Sequence, residues 1–322
     1  MTGASGFIGR HLVRRLRDES VPVRIVTRRP DIFVDGIEVV HADLATDPLP
    51  DHAMQGITTV LHLAGKTHDL SEAVGSNEHA RVTVDGTARV LDTAGRVGAA
   101  GVVFVSSLAV YGRMSHGPLD ETSRCEPSSA YGIAKLEAER LVNRFGAETG
   151  RHVAVLRPAM VYGAGCRGNL PAMIKAIDRG WFPPLPETGG RRSLVHVDDL
   201  VEAIVRVATS PFAKGETFVV ADDHPYTARG MYLAILSALG RPVPRWTVPV
   251  AVLKTAAVGG DMMTAVLRRR AYFDSISLER LTGEAYFSAT KLARLVGWRS
   301  TTTLEQALPA IIASLANERQ AV

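Results

Sequence analysis

Tyr131 and Lys135 stand four residues apart in Tyr131-Gly132-Ile133-Ala134-Lys135, and Ser106-Ser107 close a β-branched run upstream of them. At i and i+4 a phenol and an ammonium share one helix face. A free tyrosine has a pKa of about 10, too high for efficient proton exchange at neutral pH. A neighbouring ammonium stabilises the phenolate and lowers that value. Tyr131 can then pass a proton to or from a hydroxyl while a nicotinamide ring moves the hydride, and a serine at the neighbouring strand end can hold the reacting oxygen. The nucleotide signal is the loop Thr2-Gly3-Ala4-Ser5-Gly6-Phe7-Ile8-Gly9. Its glycines allow a tight turn and close approach to a pyrophosphate. The helix that follows, read over 10–17, aims its N–H groups and positive dipole end at that anion.

These groups need a scaffold that brings strand ends together. Strands are read at 23–27, 37–41, 59–63, 102–106 and 153–157, with helices at 10–17, 77–95 and 130–149 between them. Alternating strands and helices give βαβ units, right-handed crossovers and a parallel sheet covered on both faces, with ligands at the carboxyl ends of the strands. The expected fold class is α/β: a Rossmann-type doubly wound parallel sheet over residues 1–165, then a smaller substrate-binding region over 166–322. Gly and Pro become frequent after about residue 165, and a strand at 217–221 is expected to return to the sheet. Only Met1 and Thr2 precede the glycine loop, where such folds carry a buried strand. The expectation is a misplaced start, with several apolar residues missing upstream.

Composition narrows the class. Apolar residues make up 46% and charged ones 22%, ordinary for a globular protein. The balance of 37 basic and 33 acidic residues gives a net charge of +4, with no basic tail or aromatic-interleaved basic stripe, so no nucleic-acid partner is expected. Cys125 and Cys166 fit neither a zinc spacing nor a disulfide framework. No metal site is expected, and the compartment is read as reducing. No signal peptide is read at the start, and the location is expected to be cytoplasmic. Residues 248–267 are apolar but contain Lys254, Gly259-Gly260 and Asp261. They read as a buried or lid-forming helix rather than a membrane span. Arg268-Arg269-Arg270 reads as a solvated charge run.

Taken in order, several stretches resemble the extended short-chain dehydrogenases/reductases of the nucleotide-sugar epimerase/dehydratase/reductase type. They are the Thr2 to Gly9 loop, Ala42-Asp43-Leu44, His62-Leu63-Ala64-Gly65, Val105-Ser106-Ser107-Leu108-Ala109-Val110-Tyr111-Gly112, Tyr131 to Lys135, Leu156-Arg157-Pro158-Ala159-Met160-Val161-Tyr162-Gly163 and Arg192-Ser193-Leu194-Val195-His196-Val197-Asp198-Asp199-Leu200. The resemblance implies a catalytic set of Ser107, Tyr131 and Lys135. It implies cofactor contacts from Gly3, Ser5, Gly6, Phe7, Ile8, Gly9, Arg28, Asp43, Leu44, Leu63, Ala64, Gly65, Tyr131, Lys135 and Pro158. On the substrate side it implies Ser107, Asn169 and Arg192, the last two toward a diphosphate. Ser106 stands in reserve for Ser107.

Thr27-Arg28-Arg29 takes the place where NAD enzymes put an acid for the ribose 2′-OH, so NADP(H) is favoured over NAD(H), with Asp31 able to swing in. Dehydratases of this superfamily carry an Asp-Glu pair after the catalytic residue. Leu108-Ala109 stands there, which speaks against elimination. What remains is redox at C4 of a nucleotide-linked hexose, UDP-linked by resemblance, as a 4-epimerase or a 4-ketoreductase. Two alternatives stay open: a carbonyl reductase acting on a non-nucleotide small molecule, and a non-catalytic NADP-binding regulator. The resemblance also implies a homodimer formed through the helices at 77–95 and 130–149.

Overall fold

The computed structural model describes residues 1–32, 34, 36–66, 76–112, 117–267 and 274–320. Short β-branched runs form the central strands: β1 (Arg24–Thr27), β2 (Glu38–His41), β3 (Thr59–His62), β4 (Gly101–Val105) and β5 (His152–Pro158). β6 (Met160–Tyr162), β7 (Arg191–Arg192), β8 (Leu194–His196), β9 (Glu216–Val220) and β10 (Tyr226–Thr227) follow. β2 pairs with β1, and β3-β4-β5-β9 run side by side, all parallel.

The position between β1 and β3 is filled by Met1 and Thr2 alone. Val26 N–H donates to the Met1 carbonyl at 2.8 Å, Thr2 N–H donates to Leu61 at 3.0 Å, and Leu63 N–H donates to Thr2 at 3.3 Å. Thr2 therefore bridges Val26 and His62 in parallel register and closes the sheet. The Met1 ammonium donates to the Arg24 carbonyl at 2.6 Å. Burial, with the Arg24 charge behind it, brings that ammonium down to about 5.

Side-chain alternation along the strands builds two cores. Val103, Val105, Ala154 and Leu156 face one side, under α1 (Phe7–Asp18) and α6 (Val197–Thr209). Val102, Phe104, Val153 and Val155 face the other, under α3 (Gly86–Arg96) and α4 (Ala130–Thr149). α3 continues from a one-turn helix, α2 (Ser76–His79), through a π-helical turn at Ala80–Asp85. α1 starts at Phe7 rather than at residue 10, so the last three glycine-loop residues, Phe7, Ile8 and Gly9, lie inside the helix.

A third core lies between α5 (Asn169–Asp178), α7 (Ala228–Ala238) and α11 (Leu304–Gln320), around Tyr162, Ile174, Ile235 and Ile311. α8 (Val250–Leu267), α9 (Ser275–Thr282) and α10 (Thr290–Val296) complete the chain's second half. α8 corresponds to the apolar stretch expected to form a buried or lid-forming helix. It buries only one face: Leu253 packs with Leu185 and Ala228, while Val252, Val258, Met262 and Met263 face outward.

Candidate active site

α4 is set by its first turn. Ser129 caps it by accepting from Gly132 N–H at 3.1 Å. Gly132 lies so close to the Ala109 carbonyl that any Cβ there would collide with it. The helix start is thereby pressed onto the 3₁₀ turn Leu108–Tyr111, whose cap is Ser107, with its Oγ accepting from Ala109 N–H at 3.2 Å. The close approach brings the Tyr131 and Ser107 hydroxyls into a hydrogen bond.

One turn further along, Lys135 is buried. Its Nζ donates to the Val105 carbonyl at 2.9 Å and sits 4.8 Å above the Phe104 ring. Burial brings this ammonium down to about 8, with Glu139 on the next turn pulling it back up. It therefore stays largely protonated at neutral pH. Gly65, at the end of the loop after β3, leaves the space that Lys135 occupies: a Cβ there would lie 3.1 Å from Nζ.

One expectation changes. Burial raises the Tyr131 phenol above the ordinary tyrosine value, and only the Ser107 hydrogen bond pulls it down. The Lys135 ammonium is directed at the Val105 carbonyl. In this arrangement the serine, not the lysine, moderates the phenol.

The glycine loop fits a dinucleotide phosphate. Gly3 has φ +72°, and a Cβ on it would fall 2.7 Å from the Ala64 nitrogen, so the first loop turn packs directly on the backbone of the Leu63–Gly65 loop. Gly6 caps α1 with no side-chain acceptor, and no acidic residue occupies the first turn. That first turn carries no acidic side chain of its own, which suits a pyrophosphate.

The segment 1–221 matches the family model described as NAD dependent epimerase/dehydratase family. The chain belongs to that family. Its members work with a nicotinamide dinucleotide, and this chain is an enzyme of that class. Over 317 residues it is 28% identical to a UDP-glucose 4-epimerase of Vibrio cholerae, covering 95% of this chain and 92% of that protein. It is 25% identical over 282 residues to an N-acetyl-α-D-glucosaminyl-diphospho-ditrans,octacis-undecaprenol 4-epimerase of Escherichia coli, covering 87% and 84%. Among solved structures, MoeE5 in complex with UDP-glucose and NAD is 26% identical, with a TM-score of 0.78 over 100% of this chain and 98% of the other.

Within this family site, the remaining expected residues fall in three places. Leu44 is buried against Gly86, and Asp43 turns the chain at the end of β2 by accepting from Ala45 N–H at 3.0 Å. Arg28 is exposed just past β1, where it acts on Glu78. Pro158 ends β5 in the buried sheet. The structure unites Ser107, Tyr131, Lys135 and Gly65. Asn169 stands apart, exposed at the first turn of α5. The Arg192 guanidinium lies at the α9 carboxyl end, donating to the Glu279 and Gly283 carbonyls at 3.4 and 3.5 Å. Arg268-Arg269-Arg270 lies outside the described residues.

Three features escaped the sequence reading. His62 is fully buried, with Thr2 at 2.6 Å from Nδ1 and Thr87 at 3.0 Å from Nε2. Thr87 gives its proton to the Thr83 carbonyl at 2.6 Å, so it accepts from Nε2–H, and Nδ1 accepts from Thr2. Ala64 N–H donates to the Thr2 hydroxyl at 3.1 Å. This relay ties the glycine loop, the cofactor-side loop and the π-helical turn together. Its signal was the polar His62 inside a β-branched run. The second feature is His79, buried with its ring edge-on to Tyr131 at 6.1 Å. Nothing in its neighbouring sequence marks it. The third is the buried pair in which Arg157 donates to Glu139 at 2.6 Å and to the Tyr111 hydroxyl at 2.8 Å. Its signal was Glu139 four residues past Lys135.

Proposed function

We propose that this enzyme carries out redox at C4 of a nucleotide-linked hexose, UDP-linked by analogy with its relatives, as a 4-epimerase or a 4-ketoreductase. The observation that carries the reading is the paired Tyr131 and Ser107 hydroxyls at the carboxyl end of β4, one helical turn from a buried ammonium. A bound nicotinamide dinucleotide supplies the hydride chemistry. Ser107 positions the sugar oxygen and moderates the phenol, Tyr131 exchanges the proton on that oxygen, and Lys135 supplies positive charge to the cofactor side of the site. Gly3, Gly6 and Gly9 give the pyrophosphate its backbone approach, and residues 1–165 act as the cofactor-binding unit. Exposed Arg28 and Arg29 favour NADP(H), because a guanidinium suits a 2′-phosphate. Asn169 and Arg192 serve the substrate diphosphate from the 166–322 side.

Replacing Tyr131 with Phe tests the assignment. Cofactor binding is expected to survive while turnover of UDP-N-acetylhexosamines or UDP-glucose falls by about 10²–10⁴-fold. Unchanged turnover sinks the assignment. Product NMR followed alongside NADPH absorbance separates the two reactions: epimer without net cofactor use means epimerase, and stoichiometric NADPH loss means reductase.

A second reading has an observation of its own, the outward apolar face of α8. The Escherichia coli relative acts, by its name, on a sugar diphosphate attached to undecaprenol. The same catalytic set could take a lipid-linked diphosphosugar. Assaying that substrate beside the UDP-sugars separates the two readings.

A further inference from the structure

α8 is an 18-residue helix whose outer face carries a single polar side chain, Thr255, with its hydroxyl turned back to donate to the Val252 carbonyl at 3.0 Å. Leu253, Ala257 and Gly260 face inward. At 3.6 residues per turn they share one arc, and Val252, Ala256, Val258, Gly259, Met262 and Met263 occupy the other side. All six are exposed, Val258 at 56% and Met262 at 65%. The charges Lys254 and Asp261 stand at one border of this arc, and the Asp261 carboxylate is taken up by Ser275 N–H at 3.1 Å. A protein surface seldom leaves an apolar stripe of this extent, broken only by Thr255, uncovered.

The surroundings indicate what covers it. The segment leading into α8 exposes Trp246 at 62% and Val243 at 55%, together with Arg241 and Arg245. It is tied to the chain after α5 by Val248 N–H donating to the Pro184 carbonyl at 2.9 Å. There Trp181 is 75% exposed, with the Arg179 guanidinium 5.3 Å above its ring. Asp178, the carboxylate beside these cations, is paired with Arg241. An apolar helix face flanked by tryptophans and by the exposed cations Arg179, Arg245 and Lys254 has the composition of a helix lying in a bilayer interface. Among the described residues no helix is long and apolar enough to cross a membrane. The geometry therefore favours lying on the surface, and the cations favour anionic headgroups.

We propose that α8, with Trp181 and Trp246, docks this enzyme on an anionic bilayer surface. The inference is independent of which sugar is turned over. The test uses the full chain with phosphatidylcholine vesicles, with and without phosphatidylglycerol, at about 0.15 M salt. The chain has three tryptophans, and Trp298 is 1% exposed in the core. A blue shift in emission on vesicle binding therefore reports Trp181 and Trp246.

The expected result is co-sedimentation and a blue shift with phosphatidylglycerol vesicles. Arg245→Gln and Lys254→Gln should each weaken binding roughly fivefold. The double variant Val258→Glu with Met262→Glu should lose binding at least tenfold, with thermal midpoint and turnover unchanged. No sedimentation with either vesicle overturns the proposal, as does binding indifferent to phosphatidylglycerol or to the double variant. A molar mass in vesicle-free solution that drops in the double variant also overturns it, because α8 would then cover a second copy of the chain.

Discussion

The cluster where β4, α4 and the π-helical turn meet and the outer surface of the second half of the chain are built on opposite terms. In the first, each side chain is fixed from several directions. Lys135 is held by the Val105 carbonyl, the Phe104 ring and the Glu139 charge. His62 has a partner on each ring nitrogen. In the second, Asn169, Trp181, Trp246 and the outer face of α8 stand in the open. A hydride must meet a carbon at a fixed distance, so the first region gains from over-determined geometry. If the second region receives a variable substrate, as proposed above, it gains from groups whose placement costs the fold nothing.

The largest effect expected from breaking this contrast is at Glu139. Removing it with Glu139→Ala leaves the Arg157 guanidinium buried without its carboxylate, which should cost about 3–5 kcal/mol of stability in a denaturant titration. Glu139 also holds the Lys135 ammonium up against burial. Its loss lowers the lysine further and moves the alkaline limb of the pH–rate profile to lower pH. A loss below about 1 kcal/mol, within the scatter of ordinary surface changes, or an unmoved alkaline limb, would show that the cluster is less constrained than its contacts imply.

The same contrast explains what the sequence revealed. Short-range chemistry was legible. Tyr131 and Lys135 lie one helical turn apart on α4, and Gly3 sits where its φ and the Ala64 backbone demand glycine. The strands were legible because β-branched runs such as Val102–Val105 are buried on both faces and carry no polar interruption. The His62 relay was not, because it joins residues 60 and 25 positions apart, a proximity that only tertiary packing creates. The pairing of Thr2 with Val26 and His62 was not legible for a related reason. A two-residue pairing leaves no periodicity to read. α8 was legible as a helix, but apolar content alone does not say which face meets the core.

A middle-sized effect separates two buried titrating groups. Burial, with Lys135 and the chain's amino terminus adding to it, lowers His62 to about 3, so it folds neutral. Its folded value lies below the ordinary 6.5, so its contribution is complete above that value and is lost as pH falls toward 3. Asp222 is raised to about 7 by burial, so it folds with its proton on. Its contribution is complete below about 4 and is lost as pH rises through 7. Between pH 5 and 7 each is worth about 2 kcal/mol, with opposite sign. Asp222→Asn should therefore change the stability difference between pH 5 and pH 7, relative to the parent, by about 2 kcal/mol. The variant loses more on acidification. Parallel pH curves for variant and parent would mean that Asp222 is ionised in the fold.

The smallest effect on stability belongs to Asn169, and there the comparison is sharpest. It is exposed at the start of α5, and the helix is capped by Gly168 rather than by its side chain. Asn169→Ala should leave the denaturant midpoint within about 0.5 kcal/mol of the parent. If its amide meets the substrate diphosphate, loss of a hydrogen bond to a charged group should raise KM by about ten- to a hundredfold, with kcat far less affected. A KM unchanged within twofold would remove Asn169 from the proposed substrate side and leave Arg192 as the remaining proposed contact to a diphosphate. A large loss of stability would mean that the exposed region is constrained as tightly as the Tyr131 and Lys135 cluster. Only an unmoved midpoint together with a raised KM fits a molecule that fixes its chemistry by packing and leaves substrate recognition on its surface.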